Sequence, residues 1–158
     1  MSQARLQTLL ASGELREEEA SDDEVAQWWQ KAVQAYSDGK HSSVSPDGSI
    51  RSLYAAARLA ATCMVREAGY RVNSGDHHFQ TFLVAGYVAA EDELRDLLAD
   101  ANAELRRTRR DVEYGFDELV DIAVVDEGRA LVASLLNRAA NHLRGARPAI
   151  KQRIKKVR

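Results

Sequence analysis

Residues 49–71 read SIRSLYAAARLAATCMVREAGYR, and this stretch decides the fold class. Its apolar side chains recur every three or four positions, which is the period of one face of an α-helix. They are Ile50, Leu53, Tyr54, Ala57, Ala61, Met64, Val65 and Ala68. Gly69 is typical of a helix end. The stretch therefore predicts a long helix with one buried face.

The same period recurs on both sides of this helix. Ser21 and Glu24 are spaced as a capping box ahead of a second amphipathic segment, and further stripes run near residues 3–11, 79–105 and 122–143. The pattern leaves open whether the chain breaks near residues 89–92. No run alternates with period two, so no strand is expected. The sequence predicts an all-α fold, an antiparallel bundle of about five helices.

The chain of 158 residues suits one compact domain, and its net charge of −2 argues against a protein that is basic overall. Charge is unevenly placed, however, and divides the chain into three segments. Residues 1–21 form a short helix and an acidic linker, residues 22–145 form the bundle, and residues 146–158 form a basic tail. Such asymmetry is typical of a surface for nucleic acid or an acidic partner, and equally of a solvated tail.

Cysteine, histidine and tryptophan add limits on chemistry. Cys63 is the single cysteine, which fits a reducing compartment. With no secretion signal and no apolar run of about 18 residues, we expect a cytoplasmic protein without a membrane span. His77 and His78 are neighbours on a helix and point apart, so we expect no metal site, and we expect one of the two to pack on another helix. We expect Trp28 in the core and Trp29 partly exposed, as at an interface, with core packing of both as the alternative.

The stretch RRTRRDVEYG, residues 106–115, holds four arginines within five positions. Arg106 and Arg107 are expected to be solvated, whereas Arg109 points elsewhere on a helix. Arg109 and Tyr114 are five apart, so they converge only where the helix ends or bends, or where a second subunit completes the site. A guanidinium fork matches phosphate oxygens. The residues alone leave two interpretations, a phosphate site at Arg109, Arg110 and Tyr114, or a wet face whose arginines pair with nearby acids.

Three stretches resemble the HEPN superfamily of small all-α domains. Residues 49–71 are similar to a family helix of the type Tyr-x-Ala-x-Arg-x-Ala with a Gly-Tyr-Arg turn. Residues 74–79, SGDHHF, are similar to the His-containing start of the next helix. RRTRRDVEYG is similar to the Arg-x4-6-His element. The resemblance covers residues 22–145.

The resemblance implies a dimer in which these elements of two subunits meet at a shared cleft. Many family members are metal-independent ribonucleases, often toxins paired with a nucleotidyltransferase antitoxin, and others bind RNA or nucleotides. By position, Arg109 matches the family arginine, Arg110 stands at the polar position, and Tyr114 stands where histidine is expected. A tyrosine is only about 0.1% ionised at pH 7, so it is a poor general base.

Three functions follow in order of preference. The first is a dimeric domain that binds RNA, a nucleotide or a partner protein through Arg109, Arg110 and Tyr114, helped by the basic tail and needing no cofactor. The second is a metal-independent endoribonuclease toxin that uses Arg109 and Tyr114. The third is a structural dimer or adaptor that makes its contacts through Trp29 and the N-terminal helix with Leu6, Leu9 and Leu10.

Overall fold

The computed structural model describes residues 2–41, 43–73, 77–114 and 120–158, and leaves out the side chains of His77, Arg110 and residues 112–114. Seven α-helices and a small sheet make up this part of the chain. In order they are α1 (Ser2–Ala11), β1 (Leu15–Glu17), α2 (Asp22–Lys40), α3 (Pro46–Glu67), β2 (Tyr70–Val72), α4 (His77–Val88), α5 (Asp92–Asp100), a π-helical turn (Ala101–Leu105), α6 (Arg106–Tyr114), α7 (Ile122–Ala146) and a 3₁₀ helix (Pro148–Arg153).

The predicted central helix is confirmed as α3, and the all-α class with it. Ser45 caps its first turn by accepting a hydrogen bond from the Gly48 amide, and Pro46 follows the cap, where its missing N–H costs nothing. Helices α2, α4, α6 and α7 all pack against α3. None of the helices within the described ranges has both the length and the low polarity needed to cross a membrane.

A two-stranded antiparallel sheet corrects the expectation that the chain has no strand. Leu15 pairs with Val72, and Glu17 pairs with Tyr70. Strands of three residues are too short to show period-two alternation, so pattern reading misses them. The buried Arg66 of α3 anchors this sheet by donating hydrogen bonds to the carbonyl oxygens of Glu18 and Tyr70, both at 2.9 Å.

The long apolar stripe at residues 79–105 is divided between α4, α5 and the π-helical turn. The chain therefore does break near residues 89–92, which periodicity alone had left undecided. Helix α4 ends at Val88 and α5 begins at Asp92. Arg95 stabilises the corner between α4 and α5, because its guanidinium donates hydrogen bonds to the carbonyl oxygens of Gly86 and Ala89 at 3.0 and 3.1 Å. These are carbonyls that the end of α4 leaves without a helical partner.

Both ends of the chain pack onto the bundle. Leu6 of α1 is buried, as are Ile150 and Ile154 after α7. The tail is also held through its backbone, because the Asn137 amide bonds both the N–H and the carbonyl oxygen of Val157. The hydrophobic core of the bundle therefore includes residues on both sides of the changes in charge near residues 21 and 145.

The two tryptophans exchange their predicted roles. Trp29 is fully buried and donates from Nε1 to the Lys155 carbonyl oxygen at 2.8 Å. Trp28 is half-buried at the surface, with Lys31 over its ring. The expectation was wrong because adjacent positions flank the same helical stripe, and the packing of the C-terminal tail on α2 buries Trp29.

Candidate functional site

Helix α6 lays two arginines against aromatic rings of the bundle. The Cζ atom of Arg106 lies 5.1 Å from the centre of the Phe79 ring on α4. The Cζ atom of Arg109 lies 4.9 Å from the centre of the Tyr54 ring on α3. Positions three apart share a helical face, so both guanidinium groups face inward. Both distances fall within the cation–π range of about 6 Å.

The Tyr54 ring lies at the centre of this site. Tyr54 is 3% exposed, and its ring contacts the rings of two residues on α4. The His78 ring centre lies 6.4 Å away in an edge-on arrangement, and the Phe82 ring centre lies 6.1 Å away. One buried ring therefore brings together the arginine of α6 and the histidine at the start of α4.

A second arginine adds positive charge to the same site. Arg58 lies one helical turn after Tyr54 on α3 and is half-buried. Burial lowers the pKa of Arg58 below its ordinary value, and the positive charge of Arg109 lowers this pKa further, while Tyr54 acts in the opposite direction. Within the described residues, no carboxylate forms an ion pair with Arg58. We define Tyr54, Arg58, His78 and Arg109 as the Tyr54 cluster.

The predicted site residues have different outcomes. Arg109 is half-buried in the Tyr54 cluster. Helix α6 runs through Arg110 and Tyr114, but both side chains lie outside the described part, so their convergence with Arg109 stays a prediction.

The two arginines expected to be solvated behave differently. Arg107 is exposed and pairs with Glu104 at 2.9 Å, as expected for a wet helix face. Arg106 corrects the expectation, because it is half-buried against Phe79.

Sequence reasoning missed three members of the Tyr54 cluster. Tyr54 and Arg58 are four apart on α3, a spacing that puts both on one helical face and was visible in the sequence. His78 contacts the Tyr54 ring, so one of the two adjacent histidines packs on a neighbouring helix. No spacing rule indicates that α3, α4 and α6 meet at this ring, since the three helices are far apart in the chain.

Other candidate groups lie away from the Tyr54 cluster. The basic tail packs on α2 and α7, whereas α6 packs on α3 and the π-helical turn. Cys63 is buried, its thiol donates to the Val25 carbonyl oxygen at 3.3 Å, and burial raises the pKa of that thiol. Among the described residues, no three His, Cys, Asp or Glu side chains are grouped as a metal site would require.

Comparison with protein-family models, curated proteins and solved structures found no match to this chain. Two guanidinium groups from separate helices, an aromatic ring and an imidazole can together hold an anion and donate several hydrogen bonds to it.

Proposed function

We propose that this protein binds RNA through its phosphate groups, with Arg58 and Arg109 of the Tyr54 cluster as the central contacts. The observation that carries the proposal is the Arg109 guanidinium of α6 over the buried Tyr54 ring, with Arg58 one turn after Tyr54 on α3 and near enough for its charge to interact with that of Arg109. The planar fork of each guanidinium suits phosphate oxygens.

The resemblance to HEPN domains supports the same choice of ligand. Arg109 is the residue that matches the family arginine, and the stretch holding Tyr54 and Arg58 is the stretch that matches the family helix. The proposal extends to a cytoplasmic homodimer in which two such clusters face a shared cleft, completed by Arg110 and Tyr114. A nucleotidyltransferase-type protein is the partner expected in that setting.

Salt dependence of RNA binding tests the phosphate contacts. In single strands each phosphate contact contributes about −0.7 to the slope of log K against log salt. The double variant Arg58→Gln, Arg109→Gln should therefore flatten the slope by about 1.4 and weaken binding at every sequence. The matched control is Arg5→Gln, Arg138→Gln, which removes the same charge from α1 and α7, where Arg5 is exposed and Arg138 is half-buried and paired with Glu91 and Glu93. Equal effects of the two double variants would contradict the proposal.

A second candidate function, metal-independent cleavage of RNA, is favoured by one observation. His78 contacts the same ring as Arg109, so a proton-transfer group lies in the cluster although RRTRRDVEYG contains no histidine. An imidazole titrates near neutral pH and can act as a general base toward a 2′-hydroxyl, or as a general acid toward the leaving oxygen.

Cleavage of labelled RNA in EDTA tests this second candidate. If His78 transfers the proton, His78→Gln should lower the cleavage rate by about 10²–10⁴-fold while RNA binding persists. His77→Gln is the matched control, because it removes the adjacent imidazole. An absence of cleavage by the unaltered protein in EDTA would rule the nuclease out, and equal rates for the two variants would rule out His78 as its proton-transfer group.

Two of the residues expected to make contacts in the adaptor alternative lie in the core. Trp29 is fully buried in this chain, and Leu6 is buried where α1 packs on α4 and on β1. Leu9 and Leu10 are partly buried against the same core.

Measuring the mass in solution by light scattering would test the homodimer, and co-purification would test the partner protein.

A further inference from the structure

A groove of about 380 Å³ lies between residues 100–108 and the first half of α7. Its two sides run in opposite directions. Gly128 of α7 lies against Leu105, whose Cδ2 atom would be 3.5 Å from a β-carbon built on this glycine. Arg138, later in α7, pairs with Glu91, which precedes Leu105 in the chain. Two antiparallel helical segments side by side leave a lengthwise groove into which the side chains of a third helix can pack.

The α7 side of the groove offers apolar surface to solvent. Val124 lines the groove and is 37% exposed, and it is one of two large apolar residues that the described part of the chain leaves exposed. Leu131 lines the groove as well and is half-buried. The two residues are seven apart, which puts them on one helical face two turns from each other. This wall therefore suits apolar side chains repeated along a helix, as in helix-in-groove recognition.

Negative charge surrounds this apolar wall. The exposed carboxylates that line the groove are Asp100, Glu104 and Glu127. Glu104 pairs with Arg107 at 2.9 Å, an exposed contact of little strength, and the other two form no ion pair with a described residue. The far end of the same helix pair differs, because there Arg138 of α7 pairs with both Glu91 and Glu93. The groove therefore carries acidic charge that the described part of the chain leaves largely uncompensated.

We propose that this groove binds a cationic amphipathic helix of a partner protein. Apolar side chains of that helix contact Val124 and Leu131, and its lysines or arginines lie opposite Asp100 and Glu127. Acidic charge repels the phosphates of a nucleic acid and the anionic lipids of a membrane surface. The described residues also hold no group of three ligands suited to a metal ion. Binding at the groove does not depend on RNA binding at the Tyr54 cluster.

Three synthetic peptides of equal length test this surface. The first is a helix of leucine and lysine whose leucines form one face. The second has the same residues in an order that gives no apolar face, and the third carries glutamate in place of each lysine. By fluorescence anisotropy at low salt, the unaltered protein should bind the first peptide about tenfold more tightly than the other two. The association rate should fall as salt is added, because attraction between charges steers the encounter.

Reversing the charge of the groove should reverse its choice of peptide. Asp100→Lys, Glu127→Lys should weaken binding of the cationic helix about tenfold and strengthen binding of the acidic peptide. The matched control is Glu17→Lys, Asp38→Lys, which changes the net charge equally at exposed positions of β1 and α2 outside the groove. This control should keep the preference of the unaltered protein for the cationic helix.

A second pair of variants tests the apolar contact. Val124→Ser removes apolar surface from the wall of the groove and should weaken binding of the cationic helix about three- to tenfold. Ile122→Ser is the matched control, because Ile122 is the other large apolar residue exposed in the described part and does not line the groove. Both substitutions alter exposed side chains, so the Tm of each variant should stay close to that of the unaltered protein.

The groove is supported if charge reversal switches the peptide that binds, Val124→Ser weakens binding, and neither control does. Failure of the unaltered protein to bind the cationic helix would overturn the proposal. Equal binding of the two cationic peptides, or equal effects of groove and control variants, would also overturn it, because the attraction would then be one of net charge alone. A dimer in light scattering that dissociates in Val124→Ser would overturn it too, since a second copy of this chain would then fill the groove.

Discussion

Replacing Tyr54 with leucine should destabilise the fold and release Arg109 at the same time. The ring is 3% exposed and has aromatic neighbours at 6.4 and 6.1 Å, within the favourable range for ring pairs. Each such pair contributes about 0.5–1.5 kcal/mol beyond burial, and the Arg109 contact about 0.5–2 kcal/mol. We therefore expect Tyr54→Leu to lower the free energy of unfolding by about 1.5–5 kcal/mol, or Tm by about 3–20 °C.

A double-mutant cycle isolates the contact between the ring and the guanidinium. The cycle combines Tyr54→Leu with Arg109→Gln and measures urea unfolding of all four proteins. The expected coupling free energy is about 0.5–2 kcal/mol. Tyr54→Phe is the control, because it keeps the ring, and the Tyr54 hydroxyl forms no hydrogen bond with another described residue. Coupling within about 0.3–0.5 kcal/mol of zero, the level at which independent sites add, would refute the reasoning.

Three further predictions concern the fold that supports the site. Arg66→Met removes a buried cation that bonds Glu24 and backbone carbonyls near both strands, so denaturant unfolding should show a loss of about 3–5 kcal/mol. The hydrogen bond from Arg66 lowers the pKa of Glu24 in the folded protein. The ionised carboxylate therefore stabilises the fold at pH values above its ordinary pKa of about 4.3. This stability should be lost as the pH falls toward the lower pKa that Glu24 has in the folded protein. Between pH 6 and pH 3, the Tm of Arg66→Met should fall less than the Tm of the unaltered protein. Equal slopes of Tm against pH in the two proteins would show that Arg66 is not the cause. Ile154→Ala opens a cavity under the C-terminal tail and should cost about 2–5 kcal/mol by urea unfolding, whereas a cost under about 1 kcal/mol would mean that the tail is not part of the core.

The helices were predictable because their signals are local. A capping serine and a stripe of period 3.6 indicated α2, and the stripe alone indicated the body of α3, so both could be placed without knowledge of their neighbours. The strands β1 and β2 gave no such signal, since three residues are too few and their pairing depends on the buried Arg66. The choice between Trp28 and Trp29 failed for a related reason, because the tail that covers Trp29 comes from the opposite end of the chain.

The candidate site divides in the same way. The sequence by itself determined the residue types, in particular Arg109 within an arginine-rich stretch and the spacing of Tyr54 and Arg58 on one helical face. Only the tertiary structure decided that Arg109 and His78 contact the same ring. Contacts between helices far apart in the chain depend on how whole helix faces pack against each other. Periodicity in the sequence predicts which face of a helix is buried, but it does not indicate the helix against which that face packs.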